Sequence, residues 1–223
     1  MAGASANGTA FENGCATTLR TLTYQGCPII VWSTAGSNKD APDIDASLCV
    51  GPFKVEAKTQ NAFEFGSKKF KFKDGRFELP DNPLFSTFFA ADFQPFNGFV
   101  PSFLRGDTSQ DTLRRERREQ KALGNPLDVR FLIDDPLAAA RYYAAKGVNY
   151  IQIQGSGLYH TGFDPYSLGV PILTMLMQVR FRCKTHISNT SHSVQAQLNC
   201  VRRPERSPYD LMDLTRLPPG FSV

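Results

Sequence analysis

Histidine is scarce in this chain. His160, His186 and His192 are the only three among 223 residues, which leaves little material for imidazole catalysis or a His-rich metal centre. Cysteine numbers five, an odd count at irregular spacing, which argues against a disulfide framework and predicts a reducing compartment. No apolar run approaches the roughly 20 residues a bilayer-crossing helix needs, so no membrane partner is expected. The start, MAGASANGTAFENGC, has neither the basic nor the apolar region of a signal peptide. Phosphate-cradling loops and dinucleotide fingerprints are missing, because the glycines of GSGLYHTG stand at the wrong spacing. Neither sign of charge dominates: 25 Lys and Arg face 21 Asp and Glu, a net +4. A body that gripped nucleic acid strongly would concentrate its charge more than this.

What is present is alternation. Met177, Val179, Phe181 and Cys183 fall on one side of an extended chain, with Gln178, Arg180, Arg182 and Lys184 on the other. Val194, Ala196, Leu198 and Cys200 repeat the pattern against Ser193, Gln195, Gln197 and Asn199. The Ser, Thr and Asn between them predict an antiparallel neighbour pair. Further strands are expected over 19–24, 28–32, within 47–58 (Phe53, Val55 and Ala57 against Lys54, Glu56 and Lys58), over 127–133 (Leu127, Val129, Phe131 and Ile133 inward) and over 150–154. Asp74-Gly75 between Phe70, Phe72 and Phe77, Leu79 has the composition of a two-residue hairpin turn.

Two short helices are expected. The first runs through 107–123, opened by Thr108 with Asp111 three residues on. Its Arg114, Arg115, Arg117 and Arg118 are interleaved with Glu116 and Glu119, the mark of a solvated, ion-paired helix. The second is an alanine-rich stretch over 137–146, capped by Asp134 or Asp135 and stopped by Gly147. Eight or nine strands with long loops predict a mostly β chain, an antiparallel β-sandwich of jelly-roll type. Residues 1–16 read as an extended or disordered arm, 17–203 as a single domain and 204–223 as an extended carboxy-terminal arm.

Candidate sites are few. Phe85, Phe88, Phe89, Phe93, Phe96, Phe99 and Phe103, broken by prolines, form a loop that either plugs a core or meets another subunit. Arg180, Arg182, Lys184, Arg202 and Arg203 make a cationic set suited to nucleic acid, or simply a solvated face. Asp134 and Asp135 are weak Ca²⁺ candidates beside their capping role. Cys183, His186, His192 and Cys200 match no zinc spacing. Ser156 and His160 are the first residues to test for hydrolysis, although no complete catalytic set is visible, so neither catalysis nor a cofactor is expected.

Gly169 ahead of the alternating stretch ILTMLMQVRFRCKT resembles the closing strands of single jelly-roll coat proteins of small icosahedral viruses. The resemblance covers about residues 127–203. It implies a self-assembling capsid subunit, made in host cytoplasm and carried in the virion, with copies of itself or related coat subunits as partners and single-stranded RNA as a further one. Unlike many plant-virus coat proteins, the chain has no arginine-rich amino arm. The order helix, YIQIQG, PILTMLMQVRF is similar to the thirty-kilodalton superfamily of plant-virus movement proteins, which bind single-stranded nucleic acid. Gln178 stands where those proteins place an Asp.

Overall fold

The computed structural model describes residues 4–34, 42–60, 64–70, 72–73, 76–77, 109–124, 128–186 and 191–223. For 4–5, 68–70, 72–73, 76–77, 183–186 and 191–194 only the backbone is described. In chain order the elements are α1 (Ala4–Thr21), β1 (Thr23–Tyr24), β2 (Cys27–Pro28), β3 (Ile30–Thr34), β4 (Ile44–Leu48), β5 (Gly51–Lys58), β6 (Glu64–Phe70), β7 (Phe72–Lys73), β8 (Arg76–Phe77), α2 (Gln110–Ala122), β9 (Asp128–Ile133), α3 (Ala138–Ala145), β10 (Tyr150–Ile153), β11 (Gly157–His160), β12 (Leu176–His186), β13 (Ser191–Arg202) and β14 (Phe221–Ser222). The described residues are thus mostly β with three α-helices, in several sheets of which none closes into a barrel. They form two compact units: Met1–Phe63 with Asp135–Leu176 and Arg202–Val223, and Glu64–Asp134 with Met177–Val201.

The first unit is built on a five-stranded sheet of order β11-β10-β5-β4-β3. Its pairs are antiparallel except β5 with β10, which run parallel. The sheet is therefore mixed, not purely antiparallel as expected. A parallel neighbour requires a long crossover, and α3, immediately before β10, ends that crossover. Phe53 and Val55 of β5 join Ile44, Ala46, Tyr150, Leu158, α1's Cys15 and Leu19, and Leu22 just after the helix in one buried cluster.

Residues 1–16 were expected as an extended or disordered arm, yet 4–16 belong to α1. Its glycines, Asn and threonines are poor helix formers, so propensity alone points away from a helix. Phe11, Cys15 and Leu19 nonetheless recur every four residues, and burial of that stripe against the sheet stabilises what propensity does not. Leu19, expected in a strand, is the last buried turn of this helix.

The tail after residue 203, expected as an extended arm, is docked on the first unit. The Leu158 N–H donates to the Tyr209 carbonyl at 2.7 Å, and Ser207 N–H to the Ser156 carbonyl at 2.8 Å. Gln152, fully buried, donates to Asp210 at 2.8 Å and accepts from the Leu211 N–H at 3.0 Å. β14 closes the segment by pairing with β1, Thr23 against Ser222.

The second unit holds a four-stranded sheet of order β6-β13-β12-β9. Met177, Val179 and Phe181 are fully buried, so β12 has the dry face its alternation predicts; on β13 Ala196 and Leu198 are fully buried too, but Gln197, expected to face solvent, is buried between them and Cys200 is half-buried. On β9, Val129 and Ile133 are buried while Leu132 faces solvent. The β7–β8 pair places Phe72 opposite Phe77, the register of the expected two-residue hairpin. α2 opens at Ser109, whose hydroxyl accepts from the Thr112 N–H at 3.2 Å, one residue later than expected. It buries Leu113 and Glu116 and exposes Arg114, Arg115, Arg117 and Arg118.

Candidate functional site

Charged side chains in ordinary sheets stay wet, but on β5 Glu56 is buried and Lys58 half-buried. Glu56 and Lys58 stand two residues apart and so share one face of the strand. Ile151 and Ile153, their register partners on β10, are fully buried on that face. Asp43 precedes β4, and continuing the β4–β5 register one step beyond Ile44↔Val55 sets it across from Glu56. The Ala57 N–H donates to Asp43 Oδ2 at 2.9 Å and fixes that carboxylate at the sheet end. Lys146, at the C-terminal cap of α3, approaches from the helix.

These groups form one network. Lys58 Nζ lies 2.6 Å from Glu56 Oε1 and 3.7 Å from Asp43 Oδ2. Lys146 Nζ lies 3.4 Å from Glu56 Oε2. Both ammonium groups sit over the ring of the buried Tyr143, at 5.7 and 5.5 Å from its centroid. Glu56 is only 3 % exposed, so its charge is tolerated because both its oxygens are paired. Burial raises the Asp43 carboxyl above the usual range against the pull of Lys58, and the nearby Glu56 adds to the rise. Burial works against the Lys58 ammonium too, but Glu56 and Asp43 outweigh it and hold that group above the usual lysine range. Glu12, buried on α1, also acts on Lys58 electrostatically. Cys15 nearby is no nucleophile: burial, then Asp210 and Asp43, push its thiol up to about 12.

The sequence candidates fare differently. Arg180 donates to Asp128 through Nε at 2.6 Å and also through Nη2, and Arg182 Nε stands 3.9 Å from the same carboxylate. Part of the cationic strand face is thus neutralised within its sheet. Arg202 is exposed and Arg203 half-buried, and both are assigned to the other unit. The Lys184 side chain lies outside the described residues, as do Phe85, Phe88, Phe89, Phe93, Phe96, Phe99 and Phe103. Asp134 is exposed. Asp135 accepts from the Leu137 N–H at 2.9 Å and pairs with Arg141 at 3.1 Å, so it tethers the turn into α3.

The side chains of Cys183, His186 and His192 are outside the described residues, and Cys200 is half-buried. Among the described residues no group of three or more His, Cys, Asp or Glu has metal-holding geometry, and no helix is long and apolar enough to cross a membrane. Ser156 occupies the β10–β11 turn, whereas His160 lies at the far end of β11 opposite Tyr150, about 10 Å further along the strand. The two do not form a dyad.

No protein-family model, curated protein or solved structure matches the chain. Asp43, Glu56, Lys58 and Lys146 were not singled out from sequence. The available signal was an acid and a base two apart on one strand, with a further acid at the mouth of the strand before it.

Proposed function

We propose that the chain is a divalent-metal-dependent phosphodiesterase acting on nucleic acid, with Asp43, Glu56 and Lys58 as its reacting groups. The observation that carries this reading is the convergence of two carboxylates, one on β5 and one just ahead of β4, on one half-buried ammonium. Opposite charges brought together out of water at the end of a sheet are costly to maintain, and such perturbed clusters concentrate at functional sites.

A phosphodiester resists attack because its own negative charge repels a nucleophile, so a site that cleaves one must supply positive charge and hold a proton for the leaving oxygen. Mg²⁺ takes one or two protein carboxylates and completes its shell with water and substrate phosphate. Asp43 and Glu56 suit it, since they already converge on a cation. The bound ion would polarise the phosphate and lower the pKa of an attacking water. Asp43, held by the Ala57 N–H, and Glu56, two residues before Lys58, form the rigid acidic edge. Lys58 meets the non-bridging phosphate oxygens and keeps a proton available for the leaving oxygen.

Purified protein with Mg²⁺ or Mn²⁺ should cleave single- or double-stranded oligonucleotides and lose that activity in EDTA. Asp43→Asn, Glu56→Gln and Lys58→Met should each lower the rate by at least about 10²-fold with folding intact. No cleavage by the wild type, or full activity in Asp43→Asn, would overturn the assignment.

A second reading, the self-assembling viral coat subunit with RNA as guest, is favoured by the sheet edges. Edge strand β3 exposes Ile30 (51 %) and Trp32 (66 %), and edge strand β9 exposes Leu132 (66 %). Apolar side chains on open edges invite strand pairing with another copy. The jelly-roll sandwich belongs to this reading, and the parallel β5–β10 pair is foreign to it. Light scattering of the same preparation separates the two: large closed particles without cleavage support the coat subunit, and small species with metal-dependent cleavage support the nuclease.

A further inference from the structure

Lys146 is not needed for the chemistry just described, yet it is the second ammonium on Glu56. It belongs to a different element from Lys58, and the two divide the carboxylate between them: Oε1 to Lys58, Oε2 to Lys146. With Asp43 added, two negative charges face two positive ones in a largely dry setting. A divalent cation arriving alone must take Glu56 from both lysines, and in a low-dielectric site the attraction it gains is nearly cancelled by the pairing it breaks and by repulsion from the displaced ammonium groups. A phosphodiester changes that balance, because its oxyanions give the lysines somewhere else to go.

Lys146 is placed to make the exchange. Its charge sits at the C-terminal end of α3, where the helix carbonyls favour a cation. Its Nζ rests over the Tyr143 ring, which holds the ammonium near the site when Glu56 is released. Its four-carbon stem has the freedom to swing from carboxylate to phosphate, which a shorter or more rigid side chain lacks.

We propose that Lys146 is a second phosphate-engaging lysine that keeps Glu56 occupied until substrate arrives, so that the divalent cation and nucleic acid bind with positive coupling. This rests on the phosphodiesterase reading. By reciprocity the metal must strengthen nucleic-acid binding by the same factor that nucleic acid strengthens metal binding.

The test measures Mn²⁺ binding by the paramagnetic resonance of free Mn²⁺, with and without a cleavage-resistant phosphorothioate oligonucleotide. In the wild type the oligonucleotide should tighten Mn²⁺ binding at least about 10-fold, within the usual range of coupled sites. Lys146→Met should bind Mn²⁺ alone more tightly than the wild type and show coupling below about 3-fold, whereas Lys146→Arg should retain it. If Lys146→Met fails to fold by thermal melting, Lys146→Gln takes its place, and the wild-type measurement stands by itself. Cleaving wild-type protein that binds Mn²⁺ equally with and without oligonucleotide would overturn the role of Lys146 and leave the nuclease intact. Coupling unchanged in Lys146→Met would do the same. Absence of both Mn²⁺ binding and cleavage would overturn the underlying function and this inference with it.

Discussion

At Gly157 the carboxy-terminal segment comes so close that a Cβ built on the residue would lie 2.3 Å from the Tyr209 carbonyl oxygen and 2.9 Å from Ser207 Cβ, with φ at +107°. Backbone cannot retreat as a flexible side-chain end does. Gly157→Ala should therefore cost about 2–3 kcal/mol in denaturant unfolding. Gly26, at φ +79° with nothing within 4 Å, is the control, and its alanine variant should cost only about 1 kcal/mol for backbone strain. Asp128 supplies a pH dependence in the second unit. Burial opposes its ionisation, but the Arg180 hydrogen bond and the charges of Arg180, Arg182 and Arg130 prevail and hold the carboxyl below its usual range. A depressed folded-state pKa means the contribution is fully present above the unfolded value of about 3.9 and lost as pH falls through the lower folded value. Since the pair is partly exposed and screened by solvent, Asp128→Asn should cost only about 1 kcal/mol at neutral pH. It should also flatten the acid limb of a plot of stability against pH.

Among the elements, β12 was legible because a half-buried strand writes its burial into the sequence with period two, whereas on β13 the expected wet-face Gln197 is buried beside Ala196 and Leu198. Met177, Val179 and Phe181 needed no knowledge of their neighbours to be placed inside. α1 was not legible, since Gly8, Gly14 and the Asn, Ser and Thr residues offset the helix preference of its alanines. The element exists through what it covers. Leu19→Ala, which empties the centre of that contact, should cost about 2–5 kcal/mol by thermal or denaturant unfolding, a core-sized loss from a segment whose composition reads as a disordered arm. Exposed Arg115 of α2 is the contrast: its alanine variant should change stability by no more than about 0.5 kcal/mol. The docking of the carboxy-terminal segment was not legible either. Its prolines suit an extended chain, and only the buried Gln152, which spends its amide on Asp210 and Leu211, shows that the extension is docked.

For the whole molecule, the chain leaves its first unit after residue 63, builds a second, and returns to the first at Asp135 and again at Arg202. Such interleaving has no signature in local pattern, because each strand alternates in the same way whichever sheet receives it. Local pattern was enough to read that the chain is mostly β, where β12 turns its dry face, that the arginines of α2 face solvent and that Phe72 pairs with Phe77. Those features depend on neighbours one, two or four residues away. The fold as a whole was needed to give β5 a parallel partner, to pack α1 and the carboxy-terminal segment into the first unit, and to bring Asp43, Glu56, Lys58 and Lys146 together. Lys54, Glu56 and Lys58 have the alternation of a wet strand face, and on sequence they are one. The arrival of α3, some 90 residues later, turns Glu56 and Lys58 from solvated charges into a dry network. Charge alternation is a local property, whereas desolvation depends on what the rest of the chain lays over it.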